Sequence, residues 1–248
     1  MYLFKTITLV SLISAIPLAA FAKPHKKLDP MSTELELGVI ATSGNTDSTA
    51  LKAKATIKQD LEEWKNEYLL DTLYRESEYN GVSEDTAKKL FVSAQSDYKL
   101  SEEHTSLFVY GSYTDDRLSG YDYQSTVSVG YSGRVFGDKK SFLDYSVGPG
   151  FSFNRTDDGE KDRVAIVRME AKYEYRLSRR AKFTQVISSD AALEKDKNTL
   201  SKSETALSAN IRDDLSMKAA YSITHNSEVE EGFERTDAVT SLTLAYSF

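Results

Sequence analysis

The sequence predicts an all-β fold: a closed antiparallel transmembrane β-barrel of about twelve strands with both termini in the periplasm. Three observations lead to this prediction. The N-terminus has the features of an export signal, most of the remaining chain alternates apolar and polar residues, and the chain ends on an aromatic strand. A barrel strand faces lipid on one side and the lumen on the other, so alternation over about ten residues is its expected pattern.

The N-terminal segment predicts cleavable export. Lys5 supplies a positive start, residues 6–19 are nearly all apolar or small, and Ala20 and Ala22 fit the small-x-small cleavage pattern. This apolar run is shorter than the ~20 residues that a membrane-spanning helix needs. We therefore expect cleavage after Ala22. The chain then divides into a signal peptide (1–22), a short periplasmic tail (23–30) and an outer-membrane β-barrel (31–248).

Twelve segments of alternating apolar and polar residues follow, separated by clusters of polar residues and Gly. Period-two alternation is typical of a strand with two different faces. The segments cover about residues 32–43, 48–60, 67–79, 86–99, 104–115, 121–135, 141–154, 163–176, 181–193, 200–211, 216–227 and 236–248. In the fifth, the faces are ambiguous because Leu107 and Val109 compete with Phe108 and Tyr110. The connections near 80–85, 116–120, 155–162, 194–199 and 228–235 are somewhat longer, or richer in acidic and Gly residues, and are expected to be the outer ones.

The polar faces of these strands carry charges of both signs at two-residue spacing. The clearest lumen-lining charges are Lys52, Lys54, Lys58, Arg168, Glu170, Lys172, Glu174 and Arg176. Such spacing favours cross-strand ion pairs. The charges can brace a narrow barrel, or they can line a water-filled pore and set its ion preference. Twelve strands lie between filled barrels of about 8 and open channels of 16–18, so both interpretations stand.

The last strand has the pattern that outer-membrane barrels present to their assembly machinery. Leu242, Leu244, Tyr246 and Phe248 share one face, and Phe248 is the final residue. An aromatic ring has a physical role at a membrane interface. We expect these four residues to be the barrel-assembly signal. The expected partners are the barrel-assembly machinery, outer-membrane lipid and lipopolysaccharide.

The amino-acid composition limits the kinds of functional site that we expect. The chain has no Cys and three His, at His25, His104 and His225, which the predicted strand plan keeps apart, so we expect no metal site and no cofactor. The net charge of −7 argues against nucleic acid as a partner. No nucleophile motif is present, and we expect no enzyme activity. Two alternatives stay open: an outer-membrane hydrolase of lipase or protease type that uses His225 near the outer rim, and a soluble periplasmic β-protein.

Several short motifs carry a family resemblance. They are Leu35-Glu36-Leu37-Gly38, the turn Ser43-Gly44-Asn45-Thr46, Tyr98-Lys99-Leu100, Tyr175-Arg176-Leu177 and the closing Leu244-Ala245-Tyr246-Ser247-Phe248. Together the motifs resemble the salt-induced outer-membrane proteins, a proteobacterial family with a domain of unknown function. The resemblance implies a monomeric barrel in the outer membrane of a Gram-negative bacterium without assigned catalytic residues. We therefore expect a non-enzymatic envelope protein, either a narrow pore or a structural barrel, and the family name adds a link to salt or osmotic stress.

Overall fold

The computed structural model describes residues 31–42, 47–79, 82–100, 105–116, 121–156, 158–229 and 234–248. The predicted signal peptide and tail, the Gly44-Asn45 turn and His104 lie outside these residues. Within the described residues, no helix is long and apolar enough to cross a membrane. Twelve strands form one closed antiparallel barrel, in which each strand pairs with its neighbours in the chain.

All twelve predicted strands are present, and each boundary lies within four residues of its predicted position. The strands are β1 (Met31–Thr42), β2 (Asp47–Asp60), β3 (Trp64–Tyr79), β4 (Val82–Lys99), β5 (Thr105–Asp116), β6 (Tyr121–Gly137), β7 (Ser141–Thr156), β8 (Lys161–Arg176), β9 (Ala181–Ala192), β10 (Leu200–Asn210), β11 (Leu215–Asn226) and β12 (Thr236–Ser247). The predicted fold class is therefore confirmed.

The last strand closes the barrel against the first. Leu37 pairs with Leu244, and Thr33 and Phe248 exchange two backbone hydrogen bonds of 2.9 and 3.0 Å between N and O. Closure leaves no free sheet edge, whose unpaired backbone groups could not form hydrogen bonds with lipid. The start of β1 and the end of β12 lie at the same end of the barrel, here called the terminal rim. The opposite end is the far rim.

The distribution of apolar and charged side chains is the reverse of that in a water-soluble protein. Large apolar residues point outward, such as Leu37 at 63% exposure and Leu244 at 51%. Charged residues point inward, where Glu36 is 3% exposed and Arg168 is 4% exposed. An apolar outer face around a polar interior is the arrangement that a barrel needs in a bilayer.

The structure settles the ambiguous fifth strand. Phe108 and Tyr110 are buried inside the barrel, whereas Leu107 and Val109 point outward. A Cβ atom on Gly130 of β6 would lie 2.9 Å from Cε1 of Phe108, so the absence of a side chain there makes room for the ring. The aromatic face therefore fills the lumen.

The predicted contrast in connection length is only partly correct. At the far rim, the β9–β10 connection (193–199) and the β11–β12 connection (227–235) are long. The connection near 80–85 is not longer than those at the terminal rim, because β3 and β4 continue their pairing as far as Tyr79 and Val82. Antiparallel pairing lengthens the hairpin in place of a loop, with one bulge at Arg75 and Glu76.

Candidate functional site: the charged lumen

The barrel encloses a cavity of about 800 Å³. Its lining contains carboxylates and basic side chains in equal number. Every charge predicted to face the lumen lines this cavity: Lys52, Lys54, Lys58, Arg168, Glu170, Lys172, Glu174 and Arg176. The alternation of each strand explains this placement, because the even-numbered positions from Lys52 to Lys58 in β2 and from Val164 to Arg176 in β8 face inward.

A first charge cluster bridges the strands around the closure of the barrel. Glu204 of β10 contacts the Nζ atoms of Lys54 at 3.5 Å and Lys218 at 3.0 Å. Lys218 also contacts Glu36 of β1 at 3.2 Å, and Thr243 donates a hydrogen bond to the same carboxylate. This cluster ties β2, β10, β11 and β1 together through the lumen.

A second cluster surrounds Arg168 of β8. Its two terminal nitrogens each lie 2.8 Å from a carboxylate oxygen, one of Asp190 and one of Glu170. Its guanidinium carbon lies 3.6 Å from the centre of the Tyr110 ring, and Thr126 donates a hydrogen bond of 2.8 Å to Asp190. A buried cation needs this many partners, because removing a charge from water is expensive unless it is paired.

A constriction forms where Lys202 meets Phe91. The Nζ atom of Lys202 lies 4.1 Å from the centre of the Phe91 ring. The two residues belong to β10 and β4, which stand on opposite sides of the twelve-strand order. Side chains from opposite walls therefore meet across the lumen, and the passage is narrow at this height.

A polar network, here called the far-rim cap, lies above the constriction. It consists of Tyr121, Gln124, Asn198, Asn226 and Glu228. The amide oxygen of Asn226 accepts hydrogen bonds from Gln124 at 3.1 Å and Asn198 at 2.7 Å, and the Tyr121 hydroxyl donates to the Glu228 carbonyl at 2.8 Å. Asn226 is only 2% exposed. The β9–β10 connection thus joins β11 through Asn198, while Gln124 links β6 directly to β11.

Sequence reasoning did not find the partners that complete these clusters. Lys58 contacts Glu67 at 3.4 Å, and Glu174 contacts both Arg176 at 3.7 Å and Lys182 at 3.4 Å, all near the terminal rim. The partners that the prediction missed are Glu67, Phe91, Lys182, Asp190, Lys202, Glu204, Lys218 and Asn226. Their inward positions follow from the same period-two alternation, which was available in the sequence of β10 and β11.

The predicted cleavage residues Ala20 and Ala22 lie outside the described residues, and the predicted residues on β11 and at the C-terminal end of the chain face outward. Leu242, Leu244, Tyr246 and Phe248 form one exposed stripe on β12, in which Phe248 is 66% exposed. His225 is also exposed, and its Nδ1 atom lies 2.8 Å from the hydroxyl of Thr236 on the neighbouring strand. Among the described residues, no group of three or more His, Cys, Asp or Glu side chains is placed to hold a metal ion.

Two solved structures align with most of this chain. The NanC porin aligns with a TM-score of 0.49 at 11% identity, covering 87% of this chain and 97% of that one. An outer membrane channel from Pseudomonas putida F1 aligns with a TM-score of 0.49 at 9% identity, covering 88% and 94% of the two chains.

Sequence comparison gives the family. A protein of Escherichia coli (strain K12), "Uncharacterized protein YdiY", is 31% identical over 228 residues, which covers 90% of this chain and 86% of the relative. Residues 35–248 match a family described as "Protein of unknown function, DUF481". The predicted resemblance to a family with a domain of unknown function is confirmed. Since the match spans all twelve strands, the chain belongs to the family of proteins of unknown function, DUF481.

Proposed function

We propose that the protein is a non-enzymatic outer-membrane barrel that acts as a narrow, constricted channel for small ions. The observation that carries this proposal is the charged cavity inside a closed barrel. The cavity extends from the turn residues Arg179 and Asp213 at the terminal rim to Lys89 and Asp237 in the upper lumen. A path lined by ionised groups holds water and ions, and its width and charge set what passes.

The outer face supports the membrane location. Leu35, Leu51, Val129 and Tyr246 belong to a set of exposed apolar residues that continues around the barrel. An exposed apolar surface of this extent in water would cause aggregation. The soluble alternative predicts release with the periplasmic contents. Fractionation with outer membranes, together with different gel migration before and after boiling, would contradict the soluble alternative.

The orientation is part of the proposal. The terminal rim, with both chain ends, faces the periplasm, and the far rim faces outward. Export by a signal peptide cleaved after Ala22 is the expected route, and N-terminal sequencing of the mature protein tests it. Phe248→Ala should lower the amount of barrel in the outer membrane if the assembly machinery reads this strand. Refolding of the same variant into detergent should remain efficient.

The constriction limits the size of the solute. Lys202 and Phe91 meet between opposite walls, and Thr126 reaches Asp190 from β6 to β9. These contacts divide the passage, so sugars and amino acids should be excluded while water and small ions pass. Refolded protein in a planar lipid bilayer should therefore give small, discrete conductance steps.

A structural barrel is the second candidate, and the far-rim cap favours it. If the cap closes the barrel permanently, the wild type should be silent in the bilayer although correct folding is shown by heat-modifiable migration. The double variant Gln124→Ala/Asn226→Ala removes the central hydrogen bonds of the cap. Conductance steps that occur only in the variant indicate a braced barrel that the cap keeps closed. Conductance steps in both proteins that are larger in the variant indicate a channel that the cap narrows. Silence of both proteins would contradict the channel.

The position of His225 supports the non-enzymatic part of the proposal. Its ring faces outward and is hydrogen-bonded to Thr236, away from the charged cavity. Lipid or peptide hydrolysis by the refolded protein that is lost in His225→Ala would overturn this part. The link to salt or osmotic stress rests on the family resemblance, and growth of a deletion strain at low and high salt tests it.

A further inference from the structure

Lys202 is a lumen lysine whose charge the described residues do not pair. Several other lumen cations have a carboxylate oxygen within 4.0 Å, as Lys89 has in Asp116 at 2.6 Å and Lys218 in Glu204 at 3.0 Å. Lys172 also lines the cavity without such a contact in the described part of the chain. Lys202 makes no such contact within the described residues, and its close neighbour is the face of Phe91. A ring face attracts a cation only weakly compared with a carboxylate.

The carboxylates near Lys202 are already engaged. Its charged neighbours are Lys89, Asp190, Arg168 and Asp116. Asp190 binds Arg168 and accepts a hydrogen bond from Thr126, while Asp116 is paired with Lys89. The two acidic neighbours therefore have basic partners of their own, and neither lies within 4.0 Å of the Lys202 ammonium in the described part of the chain.

The neighbouring arginine offers no donor to the lumen. The Nε atom of Arg168 is buried, and its terminal nitrogens bind Asp190 and Glu170. Arg168 is therefore occupied by two carboxylates. Lys202 lines the same cavity, and its ammonium is not engaged in this way.

We infer that the Lys202 ammonium forms an anion site at the constriction, which takes a small inorganic anion such as chloride. The donor hydrogens that do not face the Phe91 ring are then available to one anion, while cations meet a positive charge where the passage is narrow. A lysine in this position favours anion passage. The selectivity part of this inference rests on the proposed channel function, and the binding part does not.

The selectivity test compares three proteins in a planar bilayer under a potassium chloride gradient. Lys202→Met removes the charge and keeps an apolar chain against Phe91. Arg163→Met is the matched control, because Arg163 lies on the outer face with its guanidinium carbon 4.3 Å from the centre of the Phe151 ring. Wild type and control should prefer chloride over potassium. Lys202→Met should lose about fivefold of this preference, the effect of one unit charge about 4 Å from an ion in water.

Binding is measured separately by unfolding in detergent. Chloride replaces gluconate, which is too large for the site, at constant ionic strength. The unfolding midpoint should rise with chloride in the wild type and Arg163→Met and stay flat in Lys202→Met. Conductance with unchanged selectivity in Lys202→Met would overturn the selectivity part. Parallel chloride curves in all three proteins would overturn the anion site. Absence of conductance in the wild type would overturn the channel function and its selectivity, and the chloride curves alone would then decide on the site.

Discussion

The contact between β6 and β7 depends on glycine, and replacing Gly148 tests this directly. A Cβ atom on Gly148 would overlap the carbonyl oxygen of Val129 and lie 2.7 Å from the Cα atom of Gly130. Ordinary van der Waals contact begins at 3.4 Å. Both neighbours are backbone atoms of a paired strand, so they cannot rotate away. Gly148→Ala must therefore push the two strands apart.

The expected magnitude follows from two contributions. Overpacking costs about 1–3 kcal/mol, and each of about two lost strand hydrogen bonds adds about 1 kcal/mol or more, so we expect a loss of about 3–5 kcal/mol. With a denaturant slope of about 2 kcal/mol/M in urea, the unfolding midpoint should fall by about 2 M. The assay is urea unfolding of the detergent-refolded barrel, followed by heat-modifiable migration.

Gly111→Ala is the matched control. No atom lies within 4 Å of the Cβ position at Gly111, so the methyl group meets open space. Ala is favoured over Gly within a strand, and the control should be neutral or more stable by about 0.5–1 kcal/mol. Equal unfolding midpoints for Gly148→Ala and Gly111→Ala would refute the argument that the two strands are in contact through their glycines.

Two further perturbations test the lumen and a turn. Glu204→Gln leaves Lys54 and Lys218 without their shared carboxylate and should destabilise the barrel by about 2 kcal/mol. This is less than the roughly 3–5 kcal/mol for breaking a fully buried pair, because the cavity is hydrated. Adding Lys54→Met should recover part of the loss in a double-mutant cycle, and full additivity of the two changes would contradict the pairing. In the β6–β7 turn, the Asp138 carboxylate accepts hydrogen bonds from the backbone N–H groups of Lys140 and Ser141. These bonds, with that of Lys140 the larger influence, hold the pKa of the carboxyl below its ordinary value of 3.8. A lowered folded-state pKa gives stability that is present above 3.8 and lost as the pH falls through the folded value. Asp138→Ala should therefore unfold at lower urea than the wild type at pH 7, with the difference disappearing in acid; a difference that persists at pH 2 would contradict this origin.

The strands were predictable because their information is local. Alternation in β8 assigns Arg168 and Glu170 to one face whatever the partner strand is, since successive side chains of a strand point to opposite sides. The face of β5 was not predictable, because both of its faces are apolar. The space beside Gly130 allows Phe108 to point inward, and this depends on a neighbouring strand.

The sequence by itself determined the twelve strands, the two faces of most of them and the closing role of the C-terminal strand, since period-two alternation and chain order fix these features. Only the tertiary structure decided which charges meet. Lys54 reaches Glu204 across 150 residues, and Gln124 reaches Asn226 across 102. Such contacts depend on how far the strands tilt and in which register the barrel closes, which relate residues that no local pattern connects. The unpaired charge of Lys202 is likewise visible only in the tertiary structure, because which charges form ion pairs depends on how the lumen closes.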